Sequence, residues 1–188
     1  MDTNKYAEII KQNFEPNRFA SLLSSLGDQL NDRKDRFDKA DIVEKSFEIY
    51  SNGKFKHVDS IGRDHRDNDN NLDLEFKFIE DGLFTPKRKK PKKTVTVKIK
   101  NSLGQDKGKN IDNPADFYVF AQTDAMAIIS SAELKPYLVS VPDGIEAKIP
   151  LDKLTFIFKP NDVSTKINEN INYKNIKKQA QLSIINSF

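Results

Sequence analysis

The chain contains no cysteine and only two histidines, His57 and His65. Disulfides and thiolate metal centres are therefore excluded, and a structural zinc site has too few ligands. No glycine-rich phosphate loop and no Ser-His-Asp set can be read along the chain. No apolar run approaches the roughly 20 residues that span a bilayer. The segment MDTNKYAEIIKQ at the start lacks the apolar stretch of a signal peptide. These absences lead us to expect a soluble cytoplasmic protein without a membrane partner.

The 188 residues suit one domain with a proper core, and thirteen phenylalanines are available to fill it. The net charge is only +3, but its distribution is uneven. Acidic residues gather between Asp59 and Asp81. Basic residues gather in 87–109 and again in YKNIKK near the end. Neighbouring patches of opposite sign suit a metal beside a polyanion.

Apolar spacing predicts helices over 4–13, 16–32 and 37–50. The SNG that follows Tyr50 is a stop signal. GKFKHVDSI alternates loosely, whereas LDLEFKFI and TVTVKIK alternate strictly. Period two marks a strand with one buried face. We read these three segments as a meander, with turns at RDHRDNDNN and EDGLFTPKRKKPKK. DFYVFAQ and MAIIS are apolar enough for interior strands. GIEAKIP and LTFIFKP suit short late strands, and 171–188 a final helix. Linker-like composition occurs only at 86–93, so a single domain is expected over 1–188. It divides into a helical part (1–36), a core (37–135), and C-terminal strands with a helix (136–188). The expected class is α/β (α+β), with a central mixed sheet whose three-strand meander is flanked by helices.

On LDLEFKFI the polar face carries Asp73, Glu75 and Lys77; on TVTVKIK it carries Thr96, Lys98 and Lys100. Hard carboxylate oxygens beside an ammonium group meet the needs of Mg²⁺-assisted phosphodiester hydrolysis. A solvated strand face gives the same alternation, its cross-strand Glu–Lys pairs contributing only about 0.2–1 kcal/mol each.

A helix, a three-strand meander with an acidic residue and a lysine, and then NPADFYVFAQTDAMAIIS resemble the PD-(D/E)xK nuclease superfamily over residues 38–135. Within it the chain is most similar to small type II restriction endonucleases. The resemblance implies a restriction-endonuclease-like fold, Mg²⁺, sequence-specific cleavage of double-stranded DNA and a homodimer matching two-fold sites. Two assignments of the motif follow. By topology, Asp73 is the aspartate and Lys98 the lysine, with Thr96 where an acidic residue is usual and Glu75 supplying the missing carboxylate. By literal motif, Asp59 is the aspartate and Glu75-Phe76-Lys77 the ExK. Glu75 serves in both. The glutamate that the family draws from its first core helix falls on Glu44, with Glu48 the other candidate; for each, a solvent-facing helix residue is the favoured explanation.

PKRKKPKK places Lys87, Arg88, Lys89, Lys90, Lys92 and Lys93 in eight residues. Its prolines discourage regular structure, and its charge suits phosphate contacts. A solvated charge run is the plain alternative. His65 in RDHRD is a candidate base of a ββα-metal nuclease, but no second ligand follows on a helix. A calcium loop counted from Asp64 fails, with Arg66 and Asp69 at positions that want a ligand and a glycine. Asp116 and Asp124 read as strand-end caps. The rival function is a non-catalytic nucleic-acid-binding accessory protein that uses the basic loop without metal.

Overall fold

The structure, a computed structural model, describes residues 1–29, 35–60, 63–79, 83, 93–101, 114–142 and 144–162. Three helices come first: α1 (Thr3–Asn13), α2 (Pro16–Gln29) and α3 (Asp35–Tyr50). The Asp2 side chain caps α1 by accepting from the backbone N–H groups of Asn4 and Lys5. Pro16 starts α2, where its fixed φ and missing donor cost nothing. Past α3 the chain turns through Asn52 and Gly53, both at positive φ, as the SNG signal predicts.

A six-stranded sheet follows in the order β1-β2-β3-β5-β6-β9. Its strands are β1 (Phe55–Ser60), β2 (Arg63–Asp67), β3 (Leu72–Phe78), β5 (Phe117–Gln122), β6 (Ala125–Ser130) and β9 (Thr155–Phe158). The β3–β5 pair is parallel and the others are antiparallel. A second, antiparallel sheet has the order β4-β8-β7, with β4 (Thr94–Asn101), β7 (Leu138–Val141) and β8 (Gly144–Pro150). A one-turn helix, α4 (Ser131–Leu134), leaves β6 through a capping box between Ser130 and Glu133. The described residues thus form a mixed α+β structure, and none of their helices is long and apolar enough to cross a membrane.

The large sheet is covered on both faces. Tyr6, Phe19, Leu23, Val43 and Phe47 from α1–α3 pack on Leu74, Phe76, Phe117 and Val119. On the opposite face, Val95, Val97, Ile99 and Ile149 of the small sheet pack on Tyr118, Phe120, Ala127 and Ile129. This double cover explains why β5 is buried at every position and why its sequence is a continuous apolar run.

Two features differ from the sequence reading. RDHRD, expected as a turn, is strand β2 and the middle of the meander. Its inward residues are His65 and Asp67, both 0% exposed. Polar residues at core positions hide the alternation that marks a strand. They are tolerated because each has partners: Asp67 accepts from Tyr6, Asn70 and Lys54, and His65 bonds the Glu44 carbonyl. The second difference concerns TVTVKIK. It is a strand, but it pairs with β8 instead of closing the meander. Its apolar face covers the large sheet, so Thr96 and Lys98 point away from that sheet and are exposed. The final helix expected over 171–188 lies outside the described residues.

Candidate active site

The register of β2 on β3 pairs His65 with Leu74 and Arg66 with Asp73. Continued by one residue, it sets Asp64 beside Glu75. Residues two apart share a strand face, so Asp64 and Arg66 join Asp73, Glu75 and Lys77 on the side away from the helices. There the ladder of β2 gives out, and the Asp64 carboxylate takes its place: Oδ2 accepts from the Phe76 backbone N–H at 2.6 Å. Backbone pairing thereby fixes a carboxylate next to Glu75.

Glu75 is 3% exposed. Its Oε1 accepts from Lys77 Nζ, while its Oε2 is buried and has no hydrogen-bond partner among the described residues. A buried carboxylate oxygen left unsatisfied is costly, and such groups cluster where a ligand completes the set. Burial works against the Lys77 ammonium. The charges of Glu75 and Asp64, the hydrogen bond to Glu75 and the charge of Glu44 outweigh it, so the Lys77 pKa lies above the ordinary lysine value. Burial, and then the Glu75 charge, raise Asp64 to about 6, against the opposing pull of Lys77 and the Phe76 N–H. Tyr118 stands opposite Glu75 in the parallel register. Burial and the charges of Glu75 and Asp64 raise its hydroxyl to about 12.

Glu44 reaches this group from α3 through its charge on Lys77. Its carbonyl is anchored from behind the sheet by His65 Nε2 at 2.8 Å. Because a carbonyl only accepts, this bond sets the Nε2–H tautomer of His65. Nδ1 is then unprotonated, buried and without a partner. His65 packs against Phe47 and Phe76 on the helix side, which removes it from any role as a base on a substrate.

Of the residues singled out in the sequence, the structure brings together Glu75 and Lys77 and adds Asp64, while Glu44 contributes a weaker charge from α3. Asp73 is occupied otherwise: each of its oxygens lies 2.7 Å from an arginine, Arg63 on one side and Arg66 on the other. Both oxygens of the carboxylate expected as a metal ligand are thus engaged in ion pairs. Lys98 is on the other sheet opposite Glu146, which separates it from the carboxylates it was expected to serve. Asp59 belongs to β1, but its side chain lies outside the described residues. Glu48 accepts from the His57 backbone N–H at 3.0 Å, binding α3 to β1. Lys87, Arg88, Lys89, Lys90 and Lys92 lie outside the described residues; Lys93 is exposed, and its carbonyl accepts from Leu151 N–H at 3.0 Å. The residue missed in the sequence is Asp64. RDHRD reads locally as a turn, so only the pairing of β2 with β3 sets Asp64 beside Glu75.

Among the described residues no group of three or more His, Asp or Glu side chains gathers as a metal cage. Mg²⁺ does not need one, since it usually takes one or two protein carboxylates and keeps waters and phosphate oxygens for the rest. Asp64 and Glu75, with one buried oxygen unpartnered, fit that donor set.

Two buried groups set opposing pH dependences. Burial, and then the neighbouring His57, lower His65 to about 3, although the Glu44 carbonyl favours its protonation. Between its ordinary value near 6.5 and about 3, the unfolded chain binds a proton that the folded chain refuses. Stability therefore falls as pH falls through that window. Asp64, raised from its ordinary value of 3.8 to about 6, does the reverse: the folded chain binds the extra proton and gains stability. From pH 7 to 4.5 the two terms come to about 2–3 kcal/mol lost and about 2 kcal/mol gained. Urea unfolding of the wild type is expected to be nearly flat over that range. Asp64→Asn should expose the steep loss, and His65→Phe should instead become more stable as the pH falls.

Comparison with protein-family models and with curated protein sequences finds no match to this chain.

Proposed function

We propose that this protein is a Mg²⁺-dependent endonuclease that hydrolyses phosphodiester bonds of double-stranded DNA at the Asp64–Glu75–Lys77 site. The observation that carries the reading is the buried, unpartnered Oε2 of Glu75 beside Asp64 and Lys77. The chain order supports it. A helix carrying Glu44 precedes an antiparallel meander with Asp64 on its second strand and Glu75 and Lys77 on its third, in keeping with the helix, meander, acidic residue and lysine on which the resemblance to PD-(D/E)xK nucleases rests. A restriction-endonuclease-like fold, sequence-specific cutting and a homodimer complete the reading.

Asp64 and Glu75 would hold the ion; when bound, it polarises the phosphodiester and lowers the pKa of a bound water. Lys77 has two tasks. Without metal its ammonium holds Glu75 Oε1 and offsets part of the carboxylate repulsion. With substrate, the same fixed positive charge faces the negative charge that develops on the phosphate. Glu75 and Asp64 are the main charges that keep that ammonium protonated, with Glu44 adding a smaller contribution from α3, whose backbone His65 ties to the sheet. The run of six cations in 87–93 supplies charge to neutralise backbone phosphates.

The proton on Asp64 competes with the metal. Metal affinity should be constant above about pH 6 and fall about tenfold per unit below it, as titration calorimetry with Mg²⁺ or Mn²⁺ would read. The direct test is incubation of purified protein with long duplex DNAs, with Mg²⁺ or with chelator, read on a gel. Discrete bands only with Mg²⁺ support a sequence-specific endonuclease, and a smear supports a non-specific one. Intact DNA with a salt-sensitive mobility shift favours the non-catalytic binding protein.

A further inference from the structure

A second charged pair, Arg66 with Asp73, stands on the same face of β2 and β3, two residues along from Asp64 and Glu75, and the Arg63 side chain from the start of β2 reaches the same carboxylate. Asp73 is 8% exposed, and each of its oxygens takes one arginine at 2.7 Å, Oδ2 from Arg63 and Oδ1 from Arg66. Its backbone N–H goes to Asp116 Oδ2 at 2.8 Å. Arg66 also donates to Asn71 through its other terminal nitrogen. The Arg63 and Arg66 side chains are 29% and 37% exposed, so both guanidinia are held from below and open to solvent above. Each carries five N–H donors in a rigid fork. Among the described residues, Arg66 donates two hydrogen bonds, to Asp73 and Asn71, and Arg63 makes an ion pair with Asp73. Two cations flank the Asp73 carboxylate, and the Asp116 carboxylate, which accepts from the Asp73 backbone N–H, keeps its own negative charge nearby.

We propose that Arg63 and Arg66, ordered by Asp73, seat the phosphodiester adjacent to the one that is cut. Two residues along a strand separate Asp73 from Glu75 by about 7 Å, comparable with the spacing of neighbouring phosphates on one nucleic-acid strand. A planar fork pre-aligned by a buried carboxylate suits a tetrahedral anion and loses little entropy on binding it. The seat places the scissile phosphate over Asp64 and Glu75 by holding its neighbour, which is how phosphate contacts set register without reading sequence. The inference rests on the nuclease reading above.

The test compares wild type with Arg63→Gln/Arg66→Gln/Asp73→Asn, which strands no buried charge, and with Arg63→Lys/Arg66→Lys, which keeps both charges but loses the forks. Binding of closed circular duplex DNA is measured in chelator across a salt series. For the triple variant, affinity at low salt should fall about 10–100-fold and the log–log salt slope should become shallower by about 1 to 2. The lysine pair should keep most of the slope yet bind about 5–10-fold more weakly. Folded variants with wild-type affinity and slope would overturn the seat. So would an effect seen only on linear DNA with a 5′-phosphate, since the seat would then take a chain end. Should wild type cut DNA with Mg²⁺ while the variants bind and cut like it, the seat alone falls. Should wild type neither bind nor cut, the nuclease reading falls with it.

Discussion

Asp64→Asn should yield a protein that is more stable than wild type and no longer cuts DNA. Burial and the Glu75 charge raise Asp64 to about 6, so at pH 7 the folded state carries an ionised group that it disfavours. Removing that charge should stabilise the fold by about 1–3 kcal/mol. The amide oxygen can still accept from the Phe76 N–H, which preserves the local backbone. Cleavage in Mg²⁺ should fall on the order of 10³-fold or more, because an amide is a poor ligand for a hard cation. Chemical unfolding and a cleavage time course on one preparation read both effects. A stability gain with activity intact would remove Asp64 from the site; a stability loss would contradict the strain argument. Opposed changes of this kind are expected where a site is tuned for function at the expense of the fold.

Lys77→Met should lower both properties. The ammonium is the partner of Glu75 Oε1, and without it a carboxylate that is 3% exposed has no described partner for either oxygen. Breaking a buried pair from one side costs about 3–5 kcal/mol, most of it the penalty of the stranded charge. Bound Mg²⁺ should restore part of that loss, since it supplies positive charge to the same carboxylate. Cleavage should still fall about 10²–10³-fold, the usual cost of losing one group aimed at developing charge. The double variant Lys77→Met/Glu75→Gln should recover most of the stability and none of the activity. Thermal melts of the single and double variants, each with Mg²⁺ and with chelator, separate the two roles of Lys77. Recovery of cleavage by Lys77→Arg would point to charge alone, and its failure to a requirement for the compact ammonium.

The sequence by itself determined the elements whose signal is local. Helical spacing of Tyr6, Phe19, Leu22, Val43 and Phe47 located α1 to α3, and each of these residues is buried against the large sheet. Strict alternation located β3 and β4, and unbroken apolar runs located β5 and β6. It also put Glu75 and Lys77 on one strand face, because that needs only the two-residue repeat of a β-strand. Tertiary structure decided which strands meet. Nothing in TVTVKIK records that its partner is β8, some 50 residues on, and that choice moved Lys98 away from the carboxylates. Nothing local in RDHRD marks a strand either, since Asp67 enters the core by accepting from Tyr6 and pairing with Lys54, and His65 by donating to the Glu44 carbonyl, groups that lie far along the chain or on other elements. Once β2 paired with β3, Asp64 fell beside Glu75, and Asp73 fell between two arginines. The identity of a carboxylate is written in the sequence, but its role depends on which charge stands within about 3 Å of it, and only strand pairing sets that distance.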